Sequence, residues 1–374
     1  MQIPLAKPDI TEKEIEAVSE VLHTPKLSLG PKLNEFEKRL AEYGGVKYAV
    51  VVNSGTSALH LAIRALNIGE GDEVITTPFS FIASANCILF EKGRPVFVDI
   101  DPLTWNIDPN LIEAKITERT KAILAVDLFG YPADWDRLRE IAKKYNLKLI
   151  EDAAEAIGAE YKGKKAGSLG DVAVFAFYPN KQITTGEGGA ILTNDERVAE
   201  LCRSLRNQGR EDGKGWFEHV RLGYNYRLSE INCALGIVQL KRLEEILSKR
   251  ERIAQIYNKK LKEIEEIQLP QKSPDIRRSW FVYVIKLRDD FTMEQRDKIL
   301  KYLQRNGIEC RGYFAPIHLQ PLYKKLGYSK GDFPLTEAIS ARTIALPFYS
   351  DLDEERIDYI CRCLIKGLKE VAQS

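Results

Sequence analysis

The stretch FAFYPNKQITTGEGG, Phe175 to Gly189, decides how this chain is read. The apolar run from Val172 to Phe177 has the β-branched and aromatic character of a buried strand. It passes through Pro179 into Lys181 and then three glycines, Gly186, Gly188 and Gly189. An ammonium beside a buried strand loses solvation, and most such lysines snorkel to water or pair with an acid. The alternative is an amine desolvated to act as a nucleophile toward a carbonyl or an aldehyde cofactor.

Outward from that strand, short apolar segments alternate with longer helical patterns. YAVVVNSG, DEVITTP, RPVFVDID, KAILAVDLFG, LKLIED, VAVFAF and GAILTN predict strands, while TSALHLAIRALNI, DWDRLREIAKKY and DERVAELCRSLR have helical apolar spacing. That order predicts an α/β fold: a mixed, mostly parallel sheet covered by helices, with ligands at the carboxyl ends of its strands. From Ser229 the pattern changes to one long helical stretch ending near Ile264. A strand, RSWFVYVIKL, and a helix, FTMEQRDKILKYLQRNG, follow it. This predicts a large domain over 1–244 and a smaller C-terminal α/β domain over 245–374.

Composition narrows the function. With 374 residues, 44% of them hydrophobic, the chain is long enough for two cores. A net charge of +1 argues against nucleic acid or an anionic membrane as the main partner. MQIPLAKPDI lacks a signal-peptide core, and no run approaches the roughly 20 apolar residues that cross a bilayer. The six cysteines show neither zinc spacing nor a secreted disulfide framework, and the four histidines are dispersed. The expectation is a cytoplasmic protein with core thiols and no metal.

Three further segments carry chemistry. In NSGTSALHLAIRAL a strand ends in Ser-Gly and a helix begins at Thr56 or Ser57, giving start-of-helix amides and hydroxyls that suit a phosphate; ordinary N-capping explains the same residues. The segment is neither a Walker loop nor GxGxxG. LKLIEDAAEAIGA sets Glu151 and Asp152 at a strand end, where Asp152 can face a cationic group or simply cap a helix. FSFIASAN offers Phe81 to stack on a flat ring, although an isolated Phe is more often core. Together these form a set at strand ends of one sheet: phosphate cradle, ring stacker, acid and lysine. Pyridoxal phosphate has the matching needs, namely donors for its phosphate, a carboxylate for its pyridine nitrogen and a lysine for its aldehyde.

On IPLAKPDITEKEIEAV, NSGTSALHLA, EDAAEAIGA, FYPNKQITTGEGG, RNQGR, GYNYRLSEINCALGIVQL, YFAPIHLQPLY and LPFYSDL, the sequence resembles the DegT-type nucleotide-sugar aminotransferases over nearly its whole length. The resemblance implies the aspartate aminotransferase fold, fold type I of pyridoxal-phosphate enzymes. It implies that Lys181 anchors the cofactor covalently, that Asp152 pairs with the pyridinium, that Phe81 stacks on the ring, and that Gly55, Thr56 and Ser57 hold the phosphate. Asn225, in GYNYR, would reach the phosphate of the neighbouring subunit, making a homodimer with shared active sites. His318, in PIHLQP, would contact the nucleotide-sugar.

Two positions depart from the family pattern. Ala176 stands where many relatives have a serine that donates to the phosphate. Glu155 stands where relatives often have His or Gln near the cofactor's phenolic oxygen, and glutamate there resembles perosamine synthases, which aminate 4-keto-6-deoxy hexoses. The implied reaction transfers an amino group from glutamate, releasing 2-oxoglutarate, to a nucleotide-linked keto-sugar in polysaccharide biosynthesis. A 3-keto sugar aminotransferase and a non-catalytic regulatory homologue are the alternatives. Retention of Lys181 and Asp152 argues against the second.

Overall fold

The computed structural model describes residues 2–372 apart from 212, 214 and 216. Thirteen strands lie among them: β1 (Tyr48–Val52), β2 (Glu73–Thr76), β3 (Arg94–Phe97), β4 (Thr120–Val126), β5 (Lys148–Asp152), β6 (Glu160–Tyr161), β7 (Lys164–Lys165), β8 (Val172–Ala176), β9 (Gly189–Thr193), β10 (Ile267–Gln268), β11 (Ile276–Arg277), β12 (Tyr283–Leu287) and β13 (Thr343–Leu346). Seven form the central sheet, in the order β1-β9-β8-β5-β4-β2-β3. Pairing is parallel from β3 across to β8, and β9 alone runs against both its neighbours. Because β9 opposes both β8 and β1, those two point the same way, and the carboxyl ends of β1, β2, β4, β5 and β8 share one edge.

The helices α1 (Glu12–Leu22), α2 (Pro31–Gly44), α3 (Gly55–Ala65), α4 (Ala83–Phe90), α5 (Trp135–Tyr145), α6 (Glu196–Arg206) and α7 (Glu230–Lys241) surround this sheet. One layer packs Val50, Val174 and Ile191 against Leu59, Ile63 and Cys202; the opposite layer packs Val51, Phe175 and Leu192 against Phe36, Leu40 and Ile237. With both faces covered, β8 and β9 are buried at every position, which is why they read as unbroken apolar runs rather than alternating ones.

The expected single long helix is two helices, α7 and α8 (Leu243–Leu261), with a break at Arg242. At the break the Arg242 guanidinium bonds Glu14 Oε1 at 2.7 Å and Asp9 Oδ1 at 2.7 Å, tying the N-terminal segment to this corner. Beyond it, α9 (Met293–Arg305), α10 (Pro321–Lys325), α11 (Pro334–Ser340) and α12 (Glu354–Ala372) accompany the antiparallel sheet β10-β12-β13. A boundary at 244/245 falls two residues into α8. The chain's start also crosses it, because Ile3 bridges Ile308 and lies in the same apolar cluster as Tyr283, Ile299 and Leu364.

Candidate active site

The functional side chains sit where the parallel strands end. β5 closes on Asp152, which is buried; its Oδ2 accepts from Ser84 Oγ at 2.7 Å and its Oδ1 from the Ala154 amide at 3.2 Å. Burial pushes this carboxyl above its ordinary range, against the pull of those two donors and of Lys181. Glu155, one turn on, is also buried. Its Oε2 accepts from the Phe129 amide at 3.0 Å, and its Oε1 lies 3.6 Å from Lys181 Nζ. Burial raises Glu155 as well, opposed by Lys181 and the Phe129 amide.

Lys181 follows the end of β8, and 12% of its side chain is exposed, so it does not snorkel to bulk water. Its ammonium rests 4.0 Å from the centroid of Phe281. Next to it, Gln182 Nε2 donates to Glu155 O at 2.6 Å and Ser279 Oγ at 2.8 Å, fixing the lysine's flank. Two buried carboxyls therefore face one ammonium. Such a cluster gains most from a second cation, which a protonated pyridine ring would provide.

The rest of the edge fits the same group. α3 begins at Gly55, one residue earlier than expected, with Ser54 as N-cap accepting from the Ser57 amide at 3.0 Å. Ser57 Oγ is spent on Asn53 Oδ1 at 2.7 Å, whereas the half-buried Thr56 hydroxyl has no bond among the described residues. That leaves Thr56 and the first-turn amides as phosphate donors. A Cβ on Gly55 would lie 2.6 Å from Ala176 Cβ, so glycine and alanine together let the helix start approach the strand end. Phe81, just before α4, is 60% exposed, a flat ring offered to the crevice edge. Asn180 Oδ1 and Gln182 Oε1, on either side of Lys181, are buried with no partners among the described residues.

Asn225 is exposed, in a bridge with Asn207, while Tyr224 and Tyr226 stack on each other at 4.9 Å on the inner side. The Tyr226 carbonyl accepts from the Asn53 amide at 2.9 Å, so the GYNYR segment runs beside the start of α3. His318 is fully buried: Nε2 lies 3.0 Å from Glu337 Oε1 and the ring stands edge-on to Phe333. The structure thus gathers Lys181, Asp152 and Glu155, sets Gly55 beside Ala176, and places His318 in the core. Ser84, Phe129, Gln182 and Phe281 join the cluster without having been anticipated. Ser84 was within reach, since Ser80 and Ser84 are spaced four apart at a helix start; Phe281 comes from the far half of the chain and has no local signal.

The model of the DegT/DnrJ/EryC1/StrS aminotransferase family matches residues 8–365. The chain belongs to that family. GDP-perosamine synthase of Caulobacter vibrioides is 43% identical over 366 residues, covering 97% of each chain. Among solved structures, PseC of Helicobacter pylori, an aminotransferase involved in pseudoaminic acid biosynthesis, superposes with a TM-score of 0.94 at 33% identity, covering 99% of this chain and 100% of that one. The PLP form of the putative sugar aminotransferase Spr1654 from Streptococcus pneumoniae gives a TM-score of 0.94 at 31% identity over 99% of this chain and 100% of its own. The DegT family member described here has the fold of these pyridoxal-phosphate-dependent sugar aminotransferases, is an enzyme of that class, and uses pyridoxal phosphate.

Proposed function

We propose that this aminotransferase moves the amino group of glutamate onto a nucleotide-linked 4-keto-6-deoxy hexose, as a homodimer with shared sites. The observation that carries the reading is Glu155, buried 3.6 Å from Lys181 Nζ, where the resemblance to perosamine synthases implies a glutamate. The likeness to GDP-perosamine synthase supports it.

When bound, pyridoxal phosphate supplies an electron sink for the amino acid's α-carbon. Lys181 anchors it and, once free, moves the proton at that α-carbon; its low exposure and its seat on Phe281 keep the amine out of bulk water. Asp152, held by Ser84, keeps the pyridine nitrogen protonated. Phe81 fixes the plane of the ring, and Thr56 with the first-turn amides of α3 takes the phosphate, in place of the hydroxyl that Ala176 lacks. Ser57 supports this arrangement through Asn53. Asn225, being exposed, is free to serve the phosphate of a second copy. The test is incubation with glutamate and a panel of nucleotide-linked 3-keto and 4-keto sugars, with analysis of the products. A 4-amino product is expected; a product aminated only at carbon 3 overturns the assignment.

A further inference from the structure

A cavity of about 480 Å³ opens between α8, the segment 272–280 and Tyr131, and none of Lys181, Asp152, Glu155, Phe81 or Thr56 lines it. Its size falls within the ordinary range of small-molecule sites. Arg252, Lys272 and Arg278 line it, and among the described residues none of the three has a carboxylate within ion-pair distance. Arg277 also borders the cavity but is committed to Glu160 and Glu244. The lining acid, Glu251, accepts the Trp280 indole N–H at 2.6 Å.

Arg278 is the unusual member. Its guanidinium carbon lies over two rings, 4.8 Å from the centroid of Tyr131 and 4.8 Å from that of Trp280. Its Nη2 donates to Gln271 O at 3.2 Å, and Nε is buried with no partner among the described residues. Burial pulls the group down to about 10, which still leaves it charged at neutral pH. Desolvated guanidinium groups ordinarily meet a carboxylate or a phosphate; ring stacking compensates only part of the cost.

We propose that this cavity binds the phosphate group of a small phosphorylated molecule, with Arg278 as the anchor and Arg252 and Lys272 completing the neutralisation. Phosphate rather than carboxylate follows from the charge count: Arg252 on α8 and both Lys272 and Arg278 on the segment 272–280 line one cavity, and a phosphate offers three acceptor oxygens and up to two charges, whereas one carboxylate offers two oxygens and one charge. The stretch that carries Arg278 continues directly into Ser279, which holds Gln182, and Phe281, on which Lys181 rests. Occupancy therefore bears on the segment beside the cofactor lysine without touching it.

The experiment titrates the cofactor-loaded protein by calorimetry with inorganic pyrophosphate, glucose 1-phosphate and succinate. Saturable binding of the two phosphates is expected. Arg278→Met should weaken it by about tenfold or more, as loss of a charge-assisted bond implies. The exposed Arg252→Ala and Lys272→Ala, which keep the fold even if the Arg278 variant does not, should each weaken it several-fold, with the visible absorption of the bound cofactor unchanged. No saturable heat with the unaltered protein, equal affinity in all three variants, tighter binding of succinate than of either phosphate, or loss of the cofactor's absorption on titration would each overturn the proposal.

Discussion

Lys181 sits between a ring and a carboxylate, and both contacts bear on what its removal does. Lys181→Ala is expected to lower turnover by about 10²–10⁴-fold through loss of proton transfer alone. Borohydride treatment of the unaltered protein should fix the cofactor on that residue, and peptide mapping that finds the label on a different lysine would sink the assignment. Asp152→Asn keeps the shape and the Ser84 bond but removes the charge. Transamination should then fall by about a hundredfold or more while the unfolding curve stays nearly where it was; undiminished turnover would mark Asp152 as a helix cap. Beneath these residues lies a second acid pair. Asp127 Oδ1 accepts from the Ala133 amide and the Trp135 indole, both at 2.9 Å, while Oδ2 is buried with no partner among the described residues; Glu151 accepts amides from Gly167 and Leu169. Burial raises both carboxyls, and the charge of Glu151 raises Asp127 further; the expectation is one proton shared by the pair, on the side of the unpartnered Asp127 oxygen. Folded-state values above the unfolded ones mean that the folded form binds more protons. The resulting stability is full below the ordinary carboxyl range and is lost as pH rises through the raised values, at up to about 1.4 kcal/mol per pH unit for each proton. Asp127→Asn mimics the protonated acid, so urea unfolding followed against pH should show a flatter decline than in the unaltered protein; an identical slope would remove the shared proton.

At the scale of elements, the start of α3 is positioned by the contact between Gly55 and Ala176. A Cβ on Gly55 would stand 2.6 Å from that of Ala176, so Gly55→Ala must lift the helix start away from β8 or strain both. The expected cost is about 1–3 kcal/mol in stability. Weaker retention of pyridoxal phosphate, measured by dialysis and absorbance, should accompany it; unchanged retention would show that the phosphate does not depend on this helix start. The strands of the central sheet and the helices α3, α5 and α6 were legible in the sequence because each is an apolar run of the right length bounded by turn residues, buried on faces that local pattern reports. The break at Arg242 was not legible: nothing in LKRLEE opposes a helix, and the acids that Arg242 meets there lie more than 220 positions earlier in the chain. The same limit applies within the site. Lys181, Asp152 and Gly55 stand in motifs at strand ends, whereas Phe281 and the amide of Phe129, a residue with φ 53 beside Gly130, gain their roles only when distant segments close on them.

For the whole molecule, the exposed Asn225 makes a prediction that requires two copies. If it serves a neighbour's cofactor phosphate, subunits carrying Lys181→Ala and subunits carrying Asn225→Ala should partly restore each other's activity on mixing. In a mixed dimer one site carries both lesions and the other neither. Once subunit exchange and a strong defect in Asn225→Ala are both established, absence of recovery would refute shared sites. The two ends of the chain hold a consequence of another kind. Ile3 pairs with Ile308, the Glu309 amide bonds Ile3 O at 3.0 Å, and the Phe348 amide bonds Leu5 O at 2.9 Å. On the ribosome, a chain grows from its first residue and its domains generally fold as they emerge. The central sheet has all seven strands once Thr193 is out, but residues 3–5 must wait for partners made more than three hundred positions later. Residues 3–5 thus find their places long after they are made, and the second core closes over them only once Phe348 has emerged.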